Sequence, residues 1–250
     1  MADILYKASM KSIFILILCT LFSCSSHSSK GCKVGIDPSW APLQLPDRQE
    51  SITAFSTELL TEIGQLEKIP FVRVTVNWDA LLQGLKEQEY EAILSSMPPY
   101  LFNQKLFDFS EIYLSLGPVL VVSTSSSIDS IDHLQGKEIA VITGSSNDLL
   151  LQKTPGVLIR YSPSNALALN DIISGTVEGA LIDVLTATAY CNDLYQGKLK
   201  IVSPPLTDEG LRFITLYGKA DDLVKKFNTG LDKLKKDGTY NNLLTKWGIL

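Results

Sequence analysis

The chain has 250 residues, 45% of them hydrophobic, and a formal net charge of −5. This length is enough for one large domain or for two small α/β lobes. The sequence contains no block of basic residues, and this argues against a nucleic-acid partner.

The N-terminus has the pattern of a secretory signal. Lys7 and Lys11 precede a ten-residue, largely apolar run, Ile13–Phe22, and Ser23 and Cys24 follow. A helix of ten residues is too short to cross a bilayer about 30 Å thick, which needs roughly 20. The ending LFSC resembles a lipobox, which predicts cleavage before Cys24 and lipidation of its thiol. We therefore expect a lipoprotein signal peptide over residues 1–23 and a lipidated tether over residues 24–32.

From residue 34 to residue 94, strands and helices alternate. Buried or β-branched runs predict three strands, and apolar residues at helical spacing predict two helices. The order β-α-β-α-β implies a mainly parallel sheet covered by helices. In chain order these elements are the strand Val34–Ile36, the helix Phe55–Gln65, the strand Phe71–Val76, the helix Asp79–Gln88 and the strand Ala92–Leu94.

A second α/β series follows. Two similar series suggest two lobes, which we expect to be joined near residues 122 and 212 with a ligand cleft at the carboxyl ends of the strands. The strand Val119–Val122 leads into it, and the strands predicted after it are Ile139–Ile142, Val157–Tyr161, Ala180–Ile182, Ile201–Val202 and Phe213–Leu216. The predicted helices are Asn147–Gln152, Ala166–Ser174 and one after Asp183, and the C-terminal tail adds Asp221–Lys236 and Thr239–Trp247.

Reactive residues are sparse. Cys32 and Cys191 fall in different predicted lobes, where a disulfide would restrict lobe motion, so we expect two free thiols. With two histidines and no HExxH, GxSxG or phosphate-loop motif, we expect no metal, no cofactor and no catalytic residue. Acid–base chemistry by Asp37, Glu111 or Asp183 stays open, because carboxylates alone suffice in some enzymes.

Four stretches carry a resemblance to a known family. They are WDALLQGL, FDFSEIYLSLGPVLVV from Phe107, the turn Gly144-Ser145-Ser146, and LKKDGTYNNLLTKW from Leu234. Over about residues 33–248 their order and spacing resemble the bacterial extracellular solute-binding proteins of family 3. The resemblance implies the α/β fold of a class II periplasmic binding protein. Lobe one would comprise residues 33–121 and 213–250, and lobe two residues 122–212, with hinges at 120–123 and 211–215.

The resemblance also implies a function. The protein would capture a polar amino acid or a related amine-bearing solute and deliver it to an ABC permease. We expect a monomer in the periplasm or another extracytoplasmic space, lipid-anchored to the cell membrane or the outer membrane. Two other functions stay open: a periplasmic enzyme on the same fold, such as a cyclohexadienyl dehydratase, and a ligand-sensing lipoprotein.

In lobe one, the family pattern suggests ligand contacts around the first strand. Asp37 would face the head of the ligand's side chain, and Trp40 and Trp78 would form aromatic walls. The alternative interpretation of Asp37 is a turn residue before Pro38, and the alternative for the two tryptophans is packing in the core. Asp79 is best explained as a helix N-cap. Ser95 and Ser96 would add hydroxyl or backbone hydrogen bonds.

In lobe two, the family pattern suggests two contacts with an α-amino acid. The turn of Thr143, Ser145 and Ser146 around a glycine would hold the carboxylate, because free N–H groups at a helix start attract anions. Asp183 would accept hydrogen bonds from the α-ammonium group, and the alternative interpretation is that it caps the N-terminus of a helix. A buried carboxylate without a cation is costly, so a cationic ligand group is its natural complement.

One position departs from the family pattern. The arginine that normally clamps the ligand's carboxylate lies five residues before Asp108, where this chain has Asn103. An amide cannot make the bidentate charged contact of a guanidinium, and Pro98 in the same loop has no N–H. Lys105 is a possible substitute or a solvated surface residue. We therefore expect the lobe-two turn to hold the carboxylate, or a ligand that needs less charge there.

Overall fold

A computed structural model describes residues 31–40 and 48–249. The predicted signal peptide and Cys24 lie outside these ranges. Gly31 and Cys32, which we had expected in the tether, already belong to the folded part, since Cys32 begins the first strand and is paired with Phe71. Within the described ranges, every helix is too short or too polar to traverse a bilayer.

The described part alternates strands and helices throughout. The strands are β1 Cys32–Ile36, β2 Phe71–Thr75, β3 Ala92–Ser95, β4 Phe107–Phe109, β5 Leu114–Ser115, β6 Pro118–Ser123, β7 Glu138–Ile142, β8 Leu158–Ser162, β9 Gly179–Asp183, β10 Leu199–Ile201 and β11 Gly210–Leu216. The helices are α1 Gln49–Glu67, α2 Trp78–Lys86, α3 Leu101–Gln104, α4 Asp148–Leu151, α5 Asn165–Ile173, α6 Val184–Asn192, α7 Asp221–Asp237 and α8 Thr239–Lys246.

The strands form two separate sheets, each the centre of one lobe. Sheet one has the order β2-β1-β3-β11-β4, with β5 paired to β11, and sheet two has the order β10-β6-β9-β7-β8. In sheet one β1, β2 and β3 are parallel and β11 is antiparallel to β3. In sheet two β7, β8 and β9 are parallel and β6 is antiparallel to β9. The predicted two-lobed α/β fold is confirmed.

Each sheet is buried on both faces. One face of sheet one packs on α1, α7 and α8, where the rings of Phe213 and Phe227 stack with centroids 4.7 Å apart. Its other face packs on α2 through Leu81, Leu85 and Ile214. Sheet two likewise separates two apolar clusters, one of them on α5 and α6. Apolar residues on both faces explain why several strands read as continuous hydrophobic runs.

The chain crosses between the sheets earlier than predicted. All of β6 lies in sheet two and all of β11 in sheet one, so the crossings are residues 116–117 and 202–209. The predicted boundaries, 121/122 and 212/213, and the predicted hinges fall inside these strands. The two crossings run side by side, because the Leu206 N–H donates to the Pro118 carbonyl at 2.8 Å and the Leu116 N–H to the Glu209 carbonyl at 2.9 Å.

Cys32 and Cys191 are both free thiols, as predicted. Burial, followed by the charge of Glu91, raises the pKa of the Cys32 thiol to about 12. Burial also raises the pKa of the Cys191 thiol. Both cysteines are therefore protonated and weakly nucleophilic at neutral pH.

Candidate functional site

Each sheet has one point where the strand order reverses. In sheet one β1 lies between β2 and β3, and in sheet two β7 lies between β8 and β9. Ligands of open α/β sheets bind at such points, outside the carboxyl ends of the strands. Asp37 follows β1, Ser95 ends β3, Thr143 follows β7 and Asp183 ends β9, so residues predicted from the sequence occupy both points.

The crossings bring these two edges close to each other. Ser95 is paired with Arg212, Gly210 with Ser115, and Pro118 with Asp183. Along this path, two residue steps of β11 and three residue steps from Ser115 to Pro118 link Ser95 to Asp183. The carboxyl ends of the strands in both sheets therefore border the crossings.

Asp37 is held in a tight turn. Its Oδ1 accepts a hydrogen bond from the Ser39 N–H at 3.0 Å and its Oδ2 accepts one from the Ser39 hydroxyl at 2.5 Å. The Ser96 hydroxyl donates to the Trp40 carbonyl at 3.2 Å, which joins this turn to the end of β3. The turn reading of Asp37 is thus observed, and the buried carboxylate retains lone pairs for a further donor.

Trp40 differs from the exposed aromatic wall that we predicted. It is 1% exposed and belongs to the main core of lobe one. Its indole N–H donates to the Thr53 hydroxyl of α1 at 3.1 Å. Core packing with a satisfied N–H is the usual arrangement for a buried tryptophan, so Trp40 supports the Asp37 turn from behind.

Trp78 packs on the α2 side of sheet one, and Asn103 lies in the short helix α3. Trp78 is half-buried as the first residue of α2, and the N-cap is Asn77, whose Oδ1 accepts from the Ala80 N–H at 2.9 Å. Asp79 is therefore a first-turn residue and not the predicted cap. The Asn103 side chain donates to the Pro98 carbonyl at 2.8 Å, closing its own loop. Nearby Lys105 is exposed.

The lobe-two turn is partly occupied by its own hydrogen bonds. The Thr143 N–H and hydroxyl both donate to the Ser162 carbonyl, at 2.9 and 3.1 Å, and the Ser145 N–H donates to the Ile142 carbonyl at 3.0 Å. Gly144 has a φ of 83°, a conformation that favours glycine. Ser146 is exposed, but the following helix α4 is only four residues long. The turn alone thus offers limited attraction for an anion.

Asp183 occupies the N-cap position of α6, but its side chain makes no capping hydrogen bond. The residue is solvent-accessible, yet the protein around it is dense enough to raise the pKa of its carboxyl by desolvation, against a hydrogen bond with the Asn147 side chain that lowers it. Accessibility combined with desolvation is typical of a carboxylate on the floor of a cleft.

Glu209, in the second crossing, stands close to Asp183. Glu209 is exposed, yet the protein around it raises the pKa of its carboxyl by desolvation, and the negative charge of Asp183 raises it further. Neither carboxylate forms an ion pair with a cation of residues 31–40 and 48–249. Two neighbouring carboxylates without a protein cation favour a cationic ligand group.

Sequence reasoning missed Glu209 and Asn147. Asn147 directly follows the predicted turn, and its side chain reaches Asp183 only because β7 and β9 are neighbours. Glu209 directly precedes the observed strand β11 and lies four residues before the predicted strand Phe213–Leu216. The signal that could have identified Glu209 is the presence of a titratable residue close to a predicted lobe crossing.

The sequence profile of the bacterial extracellular solute-binding proteins, family 3, matches residues 32–249. The lysine/arginine/ornithine-binding periplasmic protein of Escherichia coli K12 is 24% identical over 96% of this chain and 96% of its own length. The arginine-binding extracellular protein of Bacillus subtilis 168 is 25% identical over 94% of this chain and 92% of its own length. The L-cystine solute receptor of Neisseria gonorrhoeae, in an unliganded open conformation, matches with a TM-score of 0.66 and 25% identity over 87% of this chain and 92% of that chain.

Proposed function

Because the chain belongs to the bacterial extracellular solute-binding proteins of family 3, we propose that it captures a polar amino acid between its two lobes for an ABC permease. Its relatives are named for lysine, arginine, ornithine and cystine, which differ in their side chains. What these ligands share is the α-amino acid group. We therefore propose that this chain also recognises the α-amino acid group of its ligand.

One observation carries the proposal. Asp183 and Glu209 form an acidic pair at the crossing, and no protein cation pairs with either in the described part of the chain. Desolvated carboxylates without a counter-ion raise the free energy of the empty protein. The α-ammonium group of an amino acid at Asp183 would relieve this cost, and a basic side chain would engage Glu209.

The remaining contacts come from both lobe edges. Asp37 offers the free lone pairs of its fixed carboxylate to a donor on the ligand, and Trp78 offers part of its ring. The turn in lobe two supplies hydroxyl groups. The full set that we propose to face the ligand is Asp37, Trp78, Ser95, Ser96, Asn103, Thr143, Ser145, Ser146, Asp183 and Glu209.

The protein acts outside the cytoplasm, as the family's name implies. We propose that it acts as a monomer that binds its ligand without converting it. A lipid on Cys24 would hold it at the membrane beside its permease. These assignments rest on the signal pattern at the N-terminus and on the relatives being binding proteins.

The test is thermal stabilisation of the purified protein by each of the common L-amino acids and L-ornithine. A ligand at a hundred times its Kd stabilises the folded state by about 2.7 kcal/mol. We expect a shift with at least one of them and none with Asp183→Asn. The proposal fails if no α-amino acid stabilises the wild-type protein.

A further inference from the structure

Arg212 is a buried cation that none of the roles above uses. It lies on β11, opposite Ser95, the last residue of β3. Leu211 and Phe213 point into the core on the α1 side, so Arg212 points to the opposite face, which it shares with Ser95. Met97, two residues beyond β3, packs on this same face.

The side chain of Arg212 is directed towards the second crossing. Its Nη1 donates to the Asp208 carbonyl at 3.1 Å, and Asp208 lies in the second crossing. The side chain therefore runs back along β11, towards lobe two and away from the α7 end of the sheet. That contact is the one hydrogen bond its guanidinium makes to residues of the described part, which leaves most of its five N–H groups unused.

Arg212 is only 7% exposed and forms no ion pair with a carboxylate of residues 31–40 and 48–249. Burial lowers the pKa of its guanidinium, against the charge of Asp208, which raises it. No nitrogen of Arg212 is among the described buried atoms that lack a hydrogen-bond partner. Its unused nitrogens therefore still reach solvent, as expected for a group that lines a narrow opening.

We propose that Arg212 holds the ligand's carboxylate, supplying from β11 the positive charge that Asn103 cannot supply. This inference rests on the proposed amino-acid function and adds a residue to that site. A guanidinium can bind a carboxylate through two parallel hydrogen bonds. Arg212 and Glu209 lie in one segment, residues 208–212, and Asp183 lies beside it. Together they offer a positive charge to the carboxylate of a zwitterionic amino acid and negative charges to its ammonium group.

The experiment compares an acid with its amide by isothermal titration. The probes are an L-amino acid that stabilises the wild-type protein, starting with L-arginine, and the α-carboxamide of the same amino acid. We expect Arg212→Gln to weaken binding of the acid by about tenfold to hundredfold, the range for hydrogen bonds to a charged group. Binding of the amide should change little, so the preference for the acid should disappear.

Two variants serve as references. Lys86→Gln removes an exposed cation from the last turn of α2 and should leave both affinities unchanged. Lys105→Gln tests the rival cation near Asn103. If circular dichroism shows Arg212→Gln to be unfolded, Arg212→Lys is used in its place. The lysine keeps the positive charge but cannot make the two parallel hydrogen bonds of a guanidinium. We then expect a partial loss of the preference.

Each other result has one meaning. An unchanged preference in the Arg212 variants, or an equal loss for acid and amide, would assign Arg212 a purely structural role in holding the Asp208 carbonyl. Loss of the preference in Lys105→Gln would move the charge to Lys105 and overturn the inference. A wild-type protein that binds no amino acid would overturn the proposed function, and it would show this before any variant is made.

Discussion

Single polar residues at the strand ends fall into two kinds. Asp37, Ser95, Ser96 and Asn103 already form hydrogen bonds that fix their orientation within lobe one. Asp183 forms no ion pair with a cation of the described residues, and desolvation raises the pKa of its carboxyl. The first kind preorganises one wall of the cleft, and Asp183 provides its electrostatic driving force.

The burial of Trp40 leads to the first prediction. Because its ring fills the core of lobe one, Trp40→Ala should lower the free energy of unfolding by about 3–5 kcal/mol. Thr53→Val should cost about 1–3 kcal/mol, since it leaves the buried indole N–H without its acceptor. Urea unfolding measures both. Trp78→Ala, at a half-buried position, is the control and should affect ligand affinity more than stability.

The opposite pattern for Trp40 would contradict this placement. If Trp40→Ala kept its stability and lost affinity for the ligand, the ring would face the cleft as the sequence had predicted.

Asp183 leads to a prediction about pH. Its carboxyl has a raised pKa in the folded protein, so the folded state holds this proton more tightly than the unfolded chain. The favourable contribution is then present below the ordinary aspartate pKa of about 3.9 and is lost as pH rises through the folded value. At neutral pH the ionised carboxylate therefore destabilises the empty protein.

Asp183→Asn should accordingly raise the melting temperature of the empty protein at neutral pH. The gain should shrink near pH 4 (about the ordinary aspartate pKa), and stabilisation by an amino acid should be lost. Melting curves at both pH values, with and without ligand, check this. Asp132→Asn, at an exposed position in lobe two, should show no such gain. A lower melting temperature at neutral pH would mean that the carboxylate supports the fold.

At the scale of elements, the sequence predicted the long helices and the buried strands. The predicted strand Ala92–Leu94 is observed as Ala92–Ser95, and the predicted helix Asp221–Lys236 as Asp221–Asp237. Periodic burial specifies such elements locally. The short strands β4 and β5 were missed, because they exist through pairing with β11, which lies about a hundred residues further along the chain.

The lobe boundaries and half of the site depend on the same long-range pairing. The run from Pro118 to Val122 is uniformly apolar, so its hydropathy does not show where the chain leaves sheet one. Asp183 was predictable because it directly follows a buried strand. Glu209 and Arg212 were not, because their roles depend on which strand ends lie beside β11.

At the scale of the whole molecule, the two crossings are joined side by side by backbone hydrogen bonds. Two adjacent antiparallel connections that share hydrogen bonds permit bending about one axis more easily than twisting. Lobe closure on a ligand is then expected as a hinge motion at residues 116–117 and 202–209.

Gly117 is a closely packed point of this hinge. A Cβ atom there would collide with the Thr207 hydroxyl and lie 3.0 Å from its carbonyl oxygen. Gly117→Ala should therefore push the crossings apart and destabilise the protein by about 1–3 kcal/mol, as measured by urea unfolding. Adding Thr207→Ala should recover part of the loss, and Thr207→Ala alone is the reference. Full stability of Gly117→Ala would show that the crossings are loosely packed.

The early start of β1 at Cys32 would limit how far the lobes can move from a lipid anchor on Cys24. With the lipid that we propose on Cys24, seven residues separate the anchor from Cys32, and the eight residue steps between them span at most about 29 Å at about 3.6 Å each. The binding lobes would then explore a shallow layer over the lipid surface instead of the bulk solvent. Search for a permease would then become two-dimensional, at the raised effective concentration that a short link to the same membrane provides. A weak docking surface would suffice for delivery.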